Sequence, residues 1–254
     1  MTNLPLKPLN SSVPAVPVPV IVVLAIVIFF GFSGFAYVLV GSNENATMLR
    51  NLKRLHRFAE GGDVGIQAVL GFAYFHGVGM PENKEEGIKW FYKAAEQGDV
   101  AAQSALGDIY FKEGNFVEAV KWCRLAAEQG DAEAQFALGN CYLNGEGIHE
   151  DKMEAVRLFH MAAEQGNASA QFMLAICYTA DDGILPNTAE AIRWLRMSAE
   201  QDFAPAQHVL GFRYLLGDVV PADKVEAVRW FQKAADQGYE ESVDILRQIE
   251  GGNM

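Results

Sequence analysis

The side chains that most often carry out chemistry are sparse in this chain and form no catalytic pattern. Five histidines are spread along the sequence, at His56, His76, His149, His160 and His208. None belongs to an HExxH zinc-binding sequence, and the chain has no GxSxG sequence or phosphate-binding loop. The glycine pairs Gly77/Gly79 and Gly145/Gly147 follow no strand-like segment and recur at equivalent places, which indicates a connecting loop rather than a nucleotide site.

The cysteines and the regularly placed glutamates have structural interpretations. Cys123, Cys141 and Cys177 are an odd number without CxxC spacing, which indicates neither a disulfide framework nor a zinc site. We interpret them as small buried hydrophobic residues. Four glutamates each stand three residues after an Asn or Asp, as in a helix cap: Glu86, Glu154, Glu190 and Glu226. We therefore predict no metal site, no cofactor and no enzyme activity.

The charge of the chain argues against a nucleic-acid partner. The formal net charge is -12 at pH 7. Binding to phosphates requires clusters of Lys and Arg, because neutralisation of phosphate supplies most of the affinity. The largest basic group consists of Arg50, Lys53, Arg54 and Arg57. This group is too small for a protein that binds in a groove of DNA or RNA, so we predict no nucleic-acid binding.

A long apolar segment near the amino terminus predicts a membrane helix. No charged residue occurs from Pro8 to Asn43, and Pro19 to Val40 is almost wholly apolar. A helix of this length reaches about 33 Å, enough to cross a hydrocarbon core about 30 Å thick. We assign residues 1–16 to a polar, proline-containing tail, 17–40 to a transmembrane helix and 41–47 to a linker.

Two questions about this segment stay open at the level of sequence. A cleaved signal peptide is an alternative, because Gly34 and Ala36 are small residues spaced as signal peptidase requires. Basic residues lie on both sides of the segment, with Lys7 before it and the Arg50 to Arg57 group after it. The sequence therefore does not decide which side of the membrane carries the remaining chain.

The rest of the chain is repetitive. AAEQGD occurs at 94–99 and again at 126–131, and close variants begin at Ala162, Ser198 and Ala234. Five repeats follow, at 62–97, 98–129, 130–165, 166–201 and 202–237. Gln stands at the sixth position of every repeat, Leu at the ninth and Tyr at the thirteenth. A period of this length is typical of a solenoid.

Each repeat has the pattern of two helices. In the third repeat, Ala134, Leu138 and Tyr142 are four residues apart and share one face of a first helix. Asp151 begins the second helix, and AEQ ends it. The Gly that follows can adopt the left-handed conformation that closes a helix, and the next Asp or Asn can cap the following first helix.

These residues resemble a known family. Ala134, Gln135, Leu138, Gly139, Tyr142, Gly145, Gly147, Asp151, Ala155, Ala162 and Ala163 are similar to the pattern of the Sel-one-like repeat, a subclass of tetratricopeptide-like helical pairs. The resemblance covers about residues 62–247. It implies an all-α solenoid of antiparallel helix pairs, and the flanking segments 48–61 and 238–254 are expected to form capping helices.

Two repeats depart from the pattern. The second lacks the glycine-rich loop between its helices and resembles a plain tetratricopeptide repeat. The fifth has Asp202 where the closing Gly is expected, and Pro205 lies near the start of its first helix. A different stacking angle is expected there.

The positions that vary indicate a binding surface. In the resembling families, first helices line a concave surface that holds a partner peptide. At about 100° per residue, positions seven and eleven of each repeat lie opposite the constant residues. We predict a protein-binding face composed of Phe72, Asp108, Phe136, Asn140, Phe172, Ile176, His208 and Phe212. The alternative is that these rings pack between neighbouring repeats.

The sequence thus predicts a membrane-tethered scaffold or adaptor that binds a partner protein or peptide. A penicillin-binding type of hydrolase is the alternative from a different class. Some members of the resembling family pair cysteines within each repeat and are linked to penicillin binding. That cysteine pairing is absent from this sequence.

Overall fold

The computed structural model describes residues 44–179, 186–217 and 220–251. Within these ranges the chain forms twelve α-helices and no β-strand. The predicted tail and transmembrane helix, residues 1–40, lie outside the described residues. Among the helices described, none has the length and hydropathy that crossing a bilayer requires.

The chain divides between Gln97 and Gly98 into two compact modules. The amino-terminal module holds α1 (Glu44–Glu60), α2 (Val64–His76) and α3 (Lys84–Glu96). Helices α2 and α3 are the first repeat, and α1 packs against α2. Helix α1 begins four residues before the predicted capping helix, so it includes part of the segment 41–47 that was assigned to the linker. The sequence ENAT at 44–47 contains neither Pro nor Gly, and nothing in it stops the helix.

The carboxyl-terminal module holds repeats two to five and the final helix. Its helices are α4 (Val100–Lys112), α5 (Phe116–Glu128), α6 (Ala132–Asn144), α7 (Lys152–Glu164), α8 (Ala168–Cys177), α9 (Thr188–Glu200), α10 (Ala204–Leu216), α11 (Lys224–Asp236) and α12 (Glu240–Glu250). Each repeat is a helix pair, and each second helix also contacts the first helix of the next repeat. The helix-pair solenoid is confirmed.

The helix ends have the predicted caps. Four first helices begin with an Asp or Asn whose side chain accepts a hydrogen bond from a backbone N–H three residues on: Asp63, Asp99, Asp131 and Asn167. Second helices are capped in the same way by Asn83, Asn115, Asp151, Asn187 and Asp223. These bonds satisfy backbone amides that lack a partner within the helix.

The glycine after each AEQ sequence has a left-handed backbone, as predicted, with φ between 84° and 96°. In the fifth repeat Asp202 takes this place with φ 61°, a conformation that Asp tolerates better than most residues. Its carboxylate also accepts a hydrogen bond from Gln207 Nε2 at 3.1 Å. The missing glycine is therefore replaced by a side chain that stabilises the same turn.

The ninth-position leucines form the centre of the core. Leu70, Leu106, Leu174 and Leu210 are fully buried, and Leu138 is 4% exposed. Gly139 allows the two helices of its repeat to approach, since a Cβ atom there would lie 2.6 Å from Phe159 Cε1. The three cysteines are also buried, as predicted.

The sixth-position glutamines connect three helices at once. Gln135 is 1% exposed, and its Nε2 donates to the carbonyl of Ala127, in the second helix of the preceding repeat, at 3.2 Å. Its Oε1 accepts from Gln165 Nε2, at the end of its own repeat, at 2.8 Å. The same side-chain pairing, at 2.7–2.8 Å, joins Gln67 to Gln97, Gln103 to Gln129, Gln171 to Gln201 and Gln207 to Gln237. The Gln of each AEQ sequence therefore has a defined partner.

Truncation of a motif leucine tests the assignment of the buried face. We expect Leu138→Ala to lower the free energy of unfolding by about 2–5 kcal/mol, because it removes buried apolar area and leaves a cavity. Leu216→Ala is the matched control, since Leu216 is 66% exposed and its loss should change stability by less than about 0.5 kcal/mol. Urea unfolding followed by circular dichroism measures both, and equal losses in the two variants would contradict the assignment.

Candidate functional site

The predicted binding residues lie on the first helices, where they are exposed or half-buried. Phe72 lies on α2 in the amino-terminal module, and the other seven lie on α4, α6, α8 and α10 of the carboxyl-terminal module. Asp108 and Ile176 are exposed, whereas the remaining six are half-buried. We call the seven residues on α4, α6, α8 and α10 the first-helix face.

A groove lies between α4 and α6 on this face. Its volume is about 600 Å³. Three of the predicted residues, Asp108, Phe136 and Asn140, line it together. The remaining lining residues are Ala101, Ser104, Ala105, Phe111, Cys123, Asp131, Glu133, Ala134 and Ala137. We call it the α4–α6 groove, and its volume lies within the range of sites that hold ligand groups.

Three carboxylates surround the groove, and each has a defined contact. Asp108 pairs with Lys112 at 2.6 Å, on the exposed side of α4. Asp131 accepts a hydrogen bond from Ser104 Oγ at 2.9 Å, in addition to capping α6. Glu133 Oε1 accepts from Asn167 Nδ2 at 2.8 Å.

The electrostatic effect of this arrangement is visible at Glu133. Burial raises the pKa of its carboxyl group, and the charges of Asp131 and Asp108 raise that pKa further. Its contact with Asn167 is to a neutral amide, which does not balance the charge. The residues that line the groove include three carboxylates and no basic side chain.

The aromatic residues of the face combine packing with exposure. The Phe136 ring lies 5.9 Å from the buried Phe159 ring, and the Phe172 ring lies 5.6 Å from Phe203. Both phenylalanines pack against the core of their module and stay partly exposed. Each ring thus supports the fold on one side and offers surface on the other.

Helix α12 covers part of the face at its carboxyl end. His208 Nδ1 lies 2.7 Å from Ser242 Oγ, and its ring is 5.0 Å from that of Tyr239. Burial lowers the pKa of His208, and the charge of Glu241 opposes this effect. Phe212 packs on His208 at 5.0 Å between ring centres. The packing of α12 makes His208 less available to a partner than the sequence predicted.

A second set of contacts involves the tyrosines at the thirteenth position of the five repeats. The sequence did not predict the partners of these tyrosines. Four of these five hydroxyls lie within hydrogen-bonding distance of a basic side chain eighteen residues earlier, on the preceding helix. The pairs are His56 with Tyr74, Arg124 with Tyr142, His160 with Tyr178 and Arg196 with Tyr214. The fixed spacing of eighteen between a basic residue and a tyrosine was the available signal in the sequence.

Cys123, which lines the groove, and Cys141 have raised thiol pKa values. Burial raises the pKa of Cys123 to about 12 and that of Cys141 to about 11, and neighbouring acidic groups add to both shifts. Since the thiolate is the reactive form, these thiols are poor nucleophiles near neutral pH. In the ranges that the structure describes, no three His, Cys, Asp or Glu side chains are grouped to hold a metal ion.

The fold and the repeat contacts define the class of this protein as an α-solenoid of helix-pair repeats. The model of the Sel1 repeat matches residues 67–99, 100–131, 132–167, 168–203 and 204–239. The chain belongs to the Sel1 repeat family. Proteins of this family are generally scaffolds for protein–protein interaction and are typically non-enzymatic.

Solved structures agree with this assignment. The chain is 31% identical, with a TM-score of 0.72 over 83% of its length, to c5321, a protective antigen of uropathogenic Escherichia coli with an SLR fold. The match spans 45% of that longer protein. A Sel1 repeat protein from Oxalobacter formigenes is 29% identical, with a TM-score of 0.69 over 82% of this chain and 88% of the other. No curated protein matches the chain.

Proposed function

We propose that this protein is a membrane-tethered scaffold that captures a partner protein on its first-helix face. The α4–α6 groove is the observation that carries the proposal, because it brings Asp108, Phe136 and Asn140 into one concave surface. Half-exposed phenylalanines beside it supply apolar area, and aromatic anchors commonly dominate the energy of interfaces. A net charge of -12 favours a protein partner over nucleic acid.

The tether rests on the sequence between Pro8 and Asn43, which contains no charged residue. A membrane helix at 17–40 would hold α1, which begins at Glu44, close to the bilayer. The repeats would then present their face near a membrane surface, where a second membrane-associated protein is at high local concentration.

Three phenylalanine variants test the binding face. We expect Phe136→Ala, Phe172→Ala and Phe212→Ala to weaken capture of the partner at least tenfold, because partly exposed rings would become buried in the complex. Phe159→Ala and Phe231→Ala are the controls, since both rings are fully buried and their removal should cost about 3–5 kcal/mol of stability.

Partner capture is measured by affinity purification of the intact protein followed by quantitative mass spectrometry, and stability by urea unfolding. The three face variants should lose clearly less stability than the two controls. Losses as large as those of Phe159→Ala, with capture falling in proportion to the folded fraction, would contradict a binding role for these rings.

The tether has a separate test. If residues 17–40 form an uncleaved membrane helix, the intact protein should stay with membranes through high salt and alkaline carbonate, because apolar burial and not charge would hold it. Fractionation followed by mass measurement of the mature chain checks this. A shorter, released chain that begins near Tyr37 would show that the segment is a cleaved signal peptide.

A further inference from the structure

The α4–α6 groove differs from a second, small cleft of the carboxyl-terminal module in both size and charge. The small cleft beside Ile176, between α8, α9 and α10, has a volume of about 10 Å³ and is lined mainly by aliphatic side chains. The α4–α6 groove, at about 600 Å³, has room for several side chains. Asp108, Asp131 and Glu133 line this groove, whereas no carboxylate lines the small cleft.

The charges of the groove are not balanced by the contacts that the structure shows for them. Among the described residues, Asp108 pairs with Lys112, whose side chain is 73% exposed. Ser104 and Asn167, which bond Asp131 and Glu133, are neutral donors. Burial is the main cause of the raised pKa of Glu133, and repulsion from the charges of Asp131 and Asp108 adds to it. A cation brought into the groove would relieve this repulsion.

The apolar surface lies directly beside the charges. Phe136 follows Glu133 by three residues on α6, so the two side chains are neighbours on one helix face. Ala101, Ala105 and Ala137 complete an apolar lining with small side chains. A guanidinium or ammonium group that pairs with Glu133 would lie close to the Phe136 ring, where cation–π attraction adds to the ion pair.

We propose that the α4–α6 groove binds a peptide segment of a partner protein in which a Lys or Arg side chain stands next to an apolar side chain. The cation would lie among Asp108, Asp131 and Glu133, and the apolar side chain would pack on Phe136 and the alanines. This proposal names the chemistry of the partner and therefore rests on the proposed scaffold function.

Selection from random peptides tests this chemistry without knowledge of the partner. The full chain, held in detergent micelles, is exposed to a library of random peptides with uncharged ends, and enriched peptides are synthesised with a fluorescent label. We expect Lys or Arg beside an aromatic or aliphatic residue to be enriched over the starting library. Binding should weaken as salt is raised, because the carboxylates are partly exposed.

Isosteric neutral variants show whether the groove is the binding site. Affinity measured by fluorescence anisotropy should fall about tenfold or more in the double variant Asp108→Asn/Glu133→Gln. These changes keep oxygen acceptors for Lys112 and Asn167, and they spare Asp131, which caps α6. The matched control is Glu164→Gln/Glu200→Gln, which neutralises two exposed carboxylates at the ends of α7 and α9 and should change affinity less than twofold.

The outcomes separate the two proposals. Enrichment of acidic or neutral peptides, or equal binding by the groove variant and its control, would overturn the cationic assignment. If those peptides still lost affinity in Phe136→Ala, the scaffold function would stand. Absence of any enriched peptide would overturn the cationic assignment, and partner capture by the intact protein would then decide the scaffold function by itself.

A second copy of the chain is the remaining alternative occupant of the groove. If light scattering showed a dimer, if Lys53→Gln/Arg54→Gln abolished that dimer, and if no peptide bound, the groove would be assigned to a second copy and the proposal would be overturned.

Discussion

The buried glutamine at the sixth position of each repeat is the interaction on which the stacking of the helices depends. An amide withdrawn from water costs several kcal/mol unless it is hydrogen-bonded. Gln135 meets this requirement with Ala127 of the preceding repeat and Gln165 of its own. Sliding one helix past the next would break these bonds inside the core. The glutamines therefore fix the distance between successive repeats more specifically than leucine packing alone can do.

This constraint divides each first helix into two faces with different roles. The constant face carries Gln, Leu and Gly, which contact the second helices and tolerate little change. The opposite face is less buried, although Phe136 also packs on Phe159 of a second helix, and its residues differ from Phe136 in one repeat to His208 in another. The proposed binding function is assigned to this variable face. Asp108, Glu133 and Phe136 of the α4–α6 groove lie at positions that vary between repeats, whereas Asp131 also serves as a helix cap.

The sequence predicted those parts of the structure that short-range patterns determine. Helix caps, left-handed hinges, the leucine face and the burial of the cysteines all follow from residue types at fixed spacings. The α4–α6 groove did not, because it depends on the contact of Asn167 with Glu133, 34 residues apart, and on that of Ser104 with Asp131. The position of α12 over His208 was missed for the same reason, since Tyr239 and Ser242 lie beyond the last repeat. The early start of α1 was missed because the polar sequence before Met48 was interpreted as a linker.

A double-mutant cycle between Gln135 and Gln165 tests the role of the glutamines most directly. Stability is measured by urea unfolding for the two single Ala variants, the double variant and the wild type. If the 2.8 Å contact holds the two ends of the repeat together, the double variant should lose less than the sum of the single losses, with a coupling of about 0.5–3 kcal/mol. Losses that add within experimental error would show that the glutamines do not act as a unit, and the spacing of the repeats would then depend on apolar packing alone.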